Sequence, residues 1–310
     1  MINFEFKKYF SKKITFVFSF FIIFSVFISG LILESGLESS PRDEYWRGEL
    51  NDAILNIDHD LNFNNSQLNE NQIESLIAKR EIFQYRLDHD IQPYKDKSAS
   101  NFIIYVNNIF IVIFIFSMIV STKIITDEYS SGTIKFLLST GLKRWKYLLS
   151  KIIVIFTVPF IFMIIMFITS IIVGWLLFGF DNFSTPYISY NNGNVTNTSV
   201  LYHGLIQIMY NSVSIIVGST VAVFLGVVFK NGHISSLSSV LLAIFGTNIA
   251  LNFTHYKWVK YTLFANIDFY KFYNESVNTD PFFSLNILGL YCVVLLLVSF
   301  LIFSRQEVKL

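Results

Sequence analysis

Six long apolar runs separated by polar breaks organise the chain. They lie at about Ile14–Leu33, Phe102–Thr122, Ile152–Phe178, Gly204–Phe229, Ile234–Phe253 and Asn286–Phe303. Each is near or above the ~20 residues a helix needs to cross a bilayer core. The pattern therefore predicts an all-α integral membrane protein with six transmembrane helices. Before the first run, Ile2, Phe6, Phe10 and Ile14 recur four apart while Lys7, Lys8, Lys12 and Lys13 fall largely elsewhere. That spacing fits an N-terminal amphipathic interfacial helix with its lysines on anionic head groups, or a simple basic flank of the first span.

The breaks carry their own patterns. In residues 34–100, Pro41 can open a helix over 44–60. Ser66 can cap a second, in which Ile73, Ile77, Phe83, Leu87 and Ile91 keep helical spacing. An external helical hairpin between spans 1 and 2 is expected there, with disorder as the alternative. Pro159, near the start of the third span, can kink it or end a surface helix. Residues 179–203 are polar and Asn-rich and read as an exposed loop. Lys230 to His233 make a tight turn, so the fourth and fifth spans are antiparallel neighbours. Their Ser214/Gly218 and Ser235/Ser239 pairs suit close packing, within the bundle or along a dimer seam. Residues 254–285 are crowded with aromatics, which favours the outer lipid–water boundary or a partial dip into it.

Basic residues orient the bundle. Lys7, Lys8, Lys12 and Lys13, then Lys123, Lys135, Lys143, Arg144, Lys146 and Lys151, then Lys230, Arg305 and Lys309 fall on one side. The opposite short loops offer only Lys257, Lys260 and Lys271. Both termini and residues 123–151 are therefore expected in the cytoplasm and 34–100 outside. The first apolar run is too long for a typical signal-peptide core and lacks a small-residue cleavage site after it, so it reads as a retained span.

Composition agrees with this class. The 310 residues are 53% hydrophobic and only 15% charged, with net charge +1. No basic domain for nucleic acid stands out. One cysteine, Cys292, permits no disulfide within the chain, and the five histidines are scattered. No metal site is expected. No G-x-x-x-x-G-K-[ST] occurs, so the chain has no P-loop for ATP. Acids and bases are nearly missing from the predicted spans, which argues against ion-gradient coupling. Asn107, Asn108, Asn248 and Asn252 are the polar exceptions and read as hydrogen-bonding glue.

Residues 123–151 concentrate the remaining chemistry. Asp127 and Glu128 continue the second helix beyond the membrane, and Gly132 allows a sharp turn. Thr133 can cap a short helix whose Ile134, Phe136, Leu137 and Leu138 are too apolar to stand in water; they lie on the bilayer or fill a groove on a partner. Lys143, Arg144 and Lys146 then sit at head-group level. Glu128, Gly132 and Thr133, followed by Leu137 and Leu138, Arg144, and Leu149 to Lys151, match the E-x-x-x-G-T, leucine pair, basic residue and L-x-K of the ABC-2 type permeases of ATP-binding-cassette transporters. Gly141 stands where that family often has proline.

The stretch thus resembles the coupling segment of such permeases. The resemblance implies a non-enzymatic subunit in the bacterial cell membrane, working as two permeases, identical or merely similar, with two separate ATPase subunits that bind ATP and Mg. This chain would bind no cofactor itself. Asp127, Glu128, Gly132, Thr133, Ile134, Phe136, Leu137, Leu138 and Arg144 would form the ATPase-coupling element, with Glu128 pairing with a basic group of the ATPase or capping the adjoining helix. Lys7, Lys8, Lys12, Lys13, Lys143 and Lys146 would lie on the membrane surface. On this reading residues 1–33 hold the interfacial helix and first span, 34–100 an extracellular helical insertion, and 101–310 the other five spans. Exporters of peptide antibiotics or bacteriocins, or of lipid-like substrates, are the expected class. A membrane immunity or sensor protein binding a peptide through its external hairpin, and a passive channel, are the alternatives.

Overall fold

The computed structural model describes residues 2–10, 13–36, 45–63, 70–93, 98–133, 144–179, 186–191, 193–253, 256–269 and 281–305. Among these, six helices are long and apolar enough to cross a membrane. They are α2 (Lys13–Gly36), α6 (Phe110–Ser130), α7 (Arg144–Phe178), α8 (Val200–Phe229), α9 (Gly232–Asn252) and α11 (Pro281–Arg305). Helix α1 (Ile2–Phe10) precedes them and packs on α7 and α2. Helices α6 and α8 form the central contact, with α7, α9 and α11 around it and α2 laid along α7.

Several helices start before the expected positions, α8 at Val200 and α11 at Pro281 among them, and two further starts change the reading. The second span begins with a separate helix, α5 (Ala99–Tyr105), capped by Ser98 Oγ accepting from the Asn101 amide. A 3₁₀ turn (Val106–Ile109) joins it to α6. Helix α7 begins at Arg144 rather than Ile152 and runs through Pro159 without a break. Its 35 residues span roughly 50 Å at 1.5 Å per residue, more than the bilayer core requires, so one end projects beyond it.

Helices α3 (Trp46–Phe63) and α4 (Glu70–Asp88) lie antiparallel, tied by Arg80–Asp58 at 2.6 Å and by Arg47–Asp90. Ser66, expected to cap the second of them, lies outside the described residues. Against α4 packs a feature the sequence reading missed. Residues 179–203 are not a bare loop, and the fold is not purely helical: β1 (Pro186–Asn191) pairs antiparallel with β2 (Asn194–Ser199). The Asn192-Gly193 dipeptide between Tyr/Ile- and Val/Thr-bearing segments is a two-residue hairpin signal, and Gly193 takes φ +85°.

The α8–α9 connection is as tight as expected. Lys230 adopts a left-handed φ of 57°, and Asn231 Oδ1 caps α9 by accepting from the amides of His233 and Ile234. Ser235 and Ser239 are fully buried within the chain, and Ser235 Oγ donates across the turn to Leu225 O at 3.2 Å.

Residues 256–269 fold back against the bundle. They contain a 3₁₀ turn (Val259–Tyr261) and the short α10 (Leu263–Asn266). Phe264 covers Gly246 of α9, where a Cβ would lie 2.5 Å from its ring. The Phe269 amide donates to Ser214 Oγ at 3.1 Å, midway along α8. Irregular backbone at such depth needs internal partners. Asn266 supplies them, its Nδ2 donating to the carbonyls of Lys260 and Thr262.

Candidate functional site

The charged groups of the polar stretch meet where α1, α6 and α7 converge. On α1, Glu5, Lys8 and Tyr9 share one face by their three- and four-residue spacing. Glu5 and Tyr9 are buried, while Lys7 is exposed. Glu128 stands in the last turn of α6, where the helix dipole disfavours an anion. Two lysines offset that penalty. Lys8 Nζ lies 2.7 Å and Lys151 Nζ 3.2 Å from Glu128 Oε1.

Lys151, two turns into α7, is as deeply buried as Glu128; each is 2% exposed. Its ammonium donates to Ile124 O at 2.6 Å, lies 3.8 Å from Glu5 Oε2, and sits 5.2 Å from the Tyr147 ring centre. Two acids and two lysines thus form a junction with no net charge. Glu128 Oε2 is buried with no hydrogen-bond partner among the described residues. Burial alone would lower the Lys8 pKa. The hydrogen bond to Glu128 and the charges of Glu128, Glu5 and Asp127 outweigh it and hold the group above its ordinary 10.5. A raised pKa means that the stability from this contact is complete below 10.5 and is lost only as pH rises through the higher value. The contact therefore stays charged at neutral pH.

Beyond Glu128 the chain turns. The Ser131 amide and Ser130 Oγ both donate to Asp127 O, and the Gly132 amide donates to Tyr129 O at 3.3 Å. Gly132 adopts φ +69° with nothing among the described residues within 4 Å of where a Cβ would stand. Thr133 is exposed, its hydroxyl 2.8 Å from that of Ser131. Ile134, Phe136, Leu137, Leu138 and Lys143 lie outside the described residues, as does Lys12; Lys13 opens α2. Arg144 joins a second contact, donating to Ser304 O at 2.8 Å at the end of α11. Beside it Tyr147 stacks on Phe303. Lys146 lies over the exposed Trp145.

The structure thus turns the Glu128 carboxylate inward and draws Lys8 off the open surface onto it. Glu5 and Lys151 complete the set. A lone acid in a basic helix and a lone lysine in an apolar run were the available signals, since neither can be buried without a partner.

Residues 68–309 match the family described as a protein of unknown function, DUF2705. The chain belongs to this family. The match covers Glu128, Gly132 and Lys151 and begins beyond Glu5 and Lys8. The DUF2705 chain is similar to two proteins of Bacillus subtilis (strain 168). It is 28% identical to the uncharacterized protein YhcI over 234 residues, 72% of this chain and 74% of that one. It is 21% identical to the uncharacterized membrane protein YdbK over 220 residues, 69% and 85% of the two. No solved structure matches. Its six apolar helices make this DUF2705 protein a multi-pass membrane protein.

Proposed function

We propose that the chain is the permease subunit of an ABC-2 type ATP-binding-cassette exporter. It lines a pathway for peptide-antibiotic or lipid-like substrates and is driven by a separate cytoplasmic ATPase. The observation that carries this reading is the buried Glu5–Lys8–Glu128–Lys151 junction at the base of the polar stretch. It joins α1, α6 and α7 by charges that cannot separate cheaply in a low-dielectric setting. A push on the turn after Ser130 would therefore move three helices together. The E-x-x-x-G-T and L-x-K residues supply two of the junction's four charges, which gives the resemblance a physical content. In this reading α1 lies at the cytoplasmic interface, both termini are cytoplasmic, and α3, α4 and the β1–β2 hairpin form an external cap.

Two measurements test it. Tagged chain, purified gently from its own bacterium with its neighbouring genes intact, should bring down an ATPase with a P-loop, while the chain alone hydrolyses no ATP. Recovery of no ATPase, or ATP hydrolysis by the pure chain, would sink the proposal. For topology, Leu55→Cys and Ser304→Cys, each in a Cys292→Ala background, should label oppositely. Position 55 should react with an impermeant thiol reagent on intact cells and position 304 only after lysis. Labelling of 304 from outside would invert the arrangement.

A further inference from the structure

A second polar cluster lies inside the bundle, away from the charged junction. Gln207 and Asn211 stand 7 and 11 residues into α8, about 10 and 16 Å along a helix rising 1.5 Å per residue. Asn211 Nδ2 donates to Asn107 Oδ1 at 3.0 Å. Asn107 belongs to the 3₁₀ turn where α5 gives way to α6. Ser170 of α7 donates to Phe167 O and keeps its lone pairs as acceptors. These four polar residues line one cavity of about 10 Å³, walled otherwise by apolar groups such as Met163 and Met166. Gln207 is 6% exposed, and among the described residues its Nε2 finds no acceptor. At the hairpin end Tyr187 of β1 stacks at 3.6 Å on the fully buried His203, one turn outward from Gln207.

We propose that Asn107, Ser170, Gln207 and Asn211 form a neutral polar binding site, holding one water between the closed helices and taking a hydroxyl or amide group of an uncharged polar ligand as they part. A buried amide donor without an acceptor is costly, so Gln207 Nε2 calls for a partner that the protein itself does not supply among the described residues. The cavity has the size for one water. A water there accepts from Gln207 Nε2 and can donate to Ser170 Oγ or Asn107 Oδ1. The cavity lining carries no charged side chain, so the site favours an uncharged group over an ion, whose burial would go uncompensated. The 3₁₀ turn supplies the place to open, because such a turn between helices marks a hinge and breaking the single Asn211–Asn107 bond would free two amides. The water site stands on this geometry alone; the ligand class rests on the permease reading above.

The sign of one stability change tests the water. If Gln207 sits dry, Gln207→Leu removes an unmet donor and raises the Tm of the full chain in nanodiscs. If a water is bound there, leucine evicts it, lowers the Tm, and removes an infrared O–H stretching band that shifts in H₂¹⁸O. We expect the latter; a raised Tm with no Gln207-dependent band overturns the site. The ligand class is tested in cells by survival under peptide antibiotics, comparing Gln207→Leu, Gln207→Asn and Glu128→Ala at matched expression. We expect survival to fall at least about tenfold for Gln207→Leu and Glu128→Ala and to be largely kept by Gln207→Asn. Normal survival with Gln207→Leu but not with Glu128→Ala overturns the ligand class and leaves the permease reading standing. Normal survival with both overturns the two together.

Discussion

Replacing Glu128 with alanine should be the most destabilising single change where α1, α6 and α7 converge. It leaves the Lys151 ammonium, 2% exposed, with Ile124 O at 2.6 Å, the more distant Glu5 carboxylate at 3.8 Å and the Tyr147 ring at 5.2 Å. Removing one partner of a buried ion pair costs about 3–5 kcal/mol, mostly because the other charge stays buried and unmatched. Lys8 loses its partner too, but its side chain is 35% exposed and water can replace much of that contact. Unfolding of the purified chain in mild detergent should therefore rank Glu128→Ala well below Glu128→Gln, whose amide oxygen still accepts from both lysines.

The sharper expectation concerns the double variant. Glu128→Ala with Lys151→Met removes both deeply buried partners and should be more stable than Glu128→Ala alone, since an apolar pair of similar volume often replaces an ion pair at little cost. Simple additivity, with the double variant the least stable, would mean that the two groups do not act as a pair. The double variant also separates folding from coupling. It should reach the membrane in normal amount yet, on the permease reading, fail to support transport, because the charges that lock α6 to α7 are gone.

How much of this was legible in the sequence depended on what each residue can do alone. Six spans follow from length and hydropathy, which need no neighbour. Gly132 follows from the turn it permits, and its φ of +69° is the left-handed value that a glycine supplies. The inward turn of Glu128 was not legible. From sequence Glu128 reads as lying beyond the membrane, free to pair with a partner or cap the adjoining helix, and only the approach of α1 and α7 gives it two lysines. Lys151 was counted as a positive charge in a flank, although α7 starts two turns earlier than its hydropathy suggested and carries that charge into the packed region.

The β1–β2 hairpin was missed for another reason. Its asparagines and threonines lower the mean hydropathy of residues 179–203, so the stretch reads as an exposed loop unless the Asn192-Gly193 pair is taken as a hairpin turn. Among the intramembrane asparagines, Asn248 and Asn252 are satisfied by carbonyls of their own helix, Ile244 O and Asn248 O. Nothing in the sequence set them apart from Asn107, whose partner Asn211 lies 104 residues away.

Gly132→Val should spare the fold, unlike Glu128→Ala, and on the permease reading should still stop transport. An added Cβ at Gly132 meets nothing within 4 Å among the described residues. The backbone cost is that of a positive φ, about 1–2 kcal/mol for an L-residue and up to ~3 kcal/mol for a strained one. Glu128 lies one turn upstream with its partners on α1 and α7, so the junction should survive and the melting temperature should change little. The turn itself should not survive. A penalty of about 1.4 kcal/mol shifts a conformational equilibrium tenfold, and valine should depopulate the present path of the chain into residues 134–143 by that factor or more. If those residues receive the thrust of the ATPase, export should fall by about the same factor while ATP hydrolysis by the associated ATPase continues. Gly132→Asn, which tolerates the left-handed region better, should retain more export than Gly132→Ala, and alanine more than valine. That order follows backbone strain rather than side-chain volume, by which alanine would rank first. Export by Gly132→Val at the wild-type rate and normal expression would show that the turn after α6 does not transmit the motion.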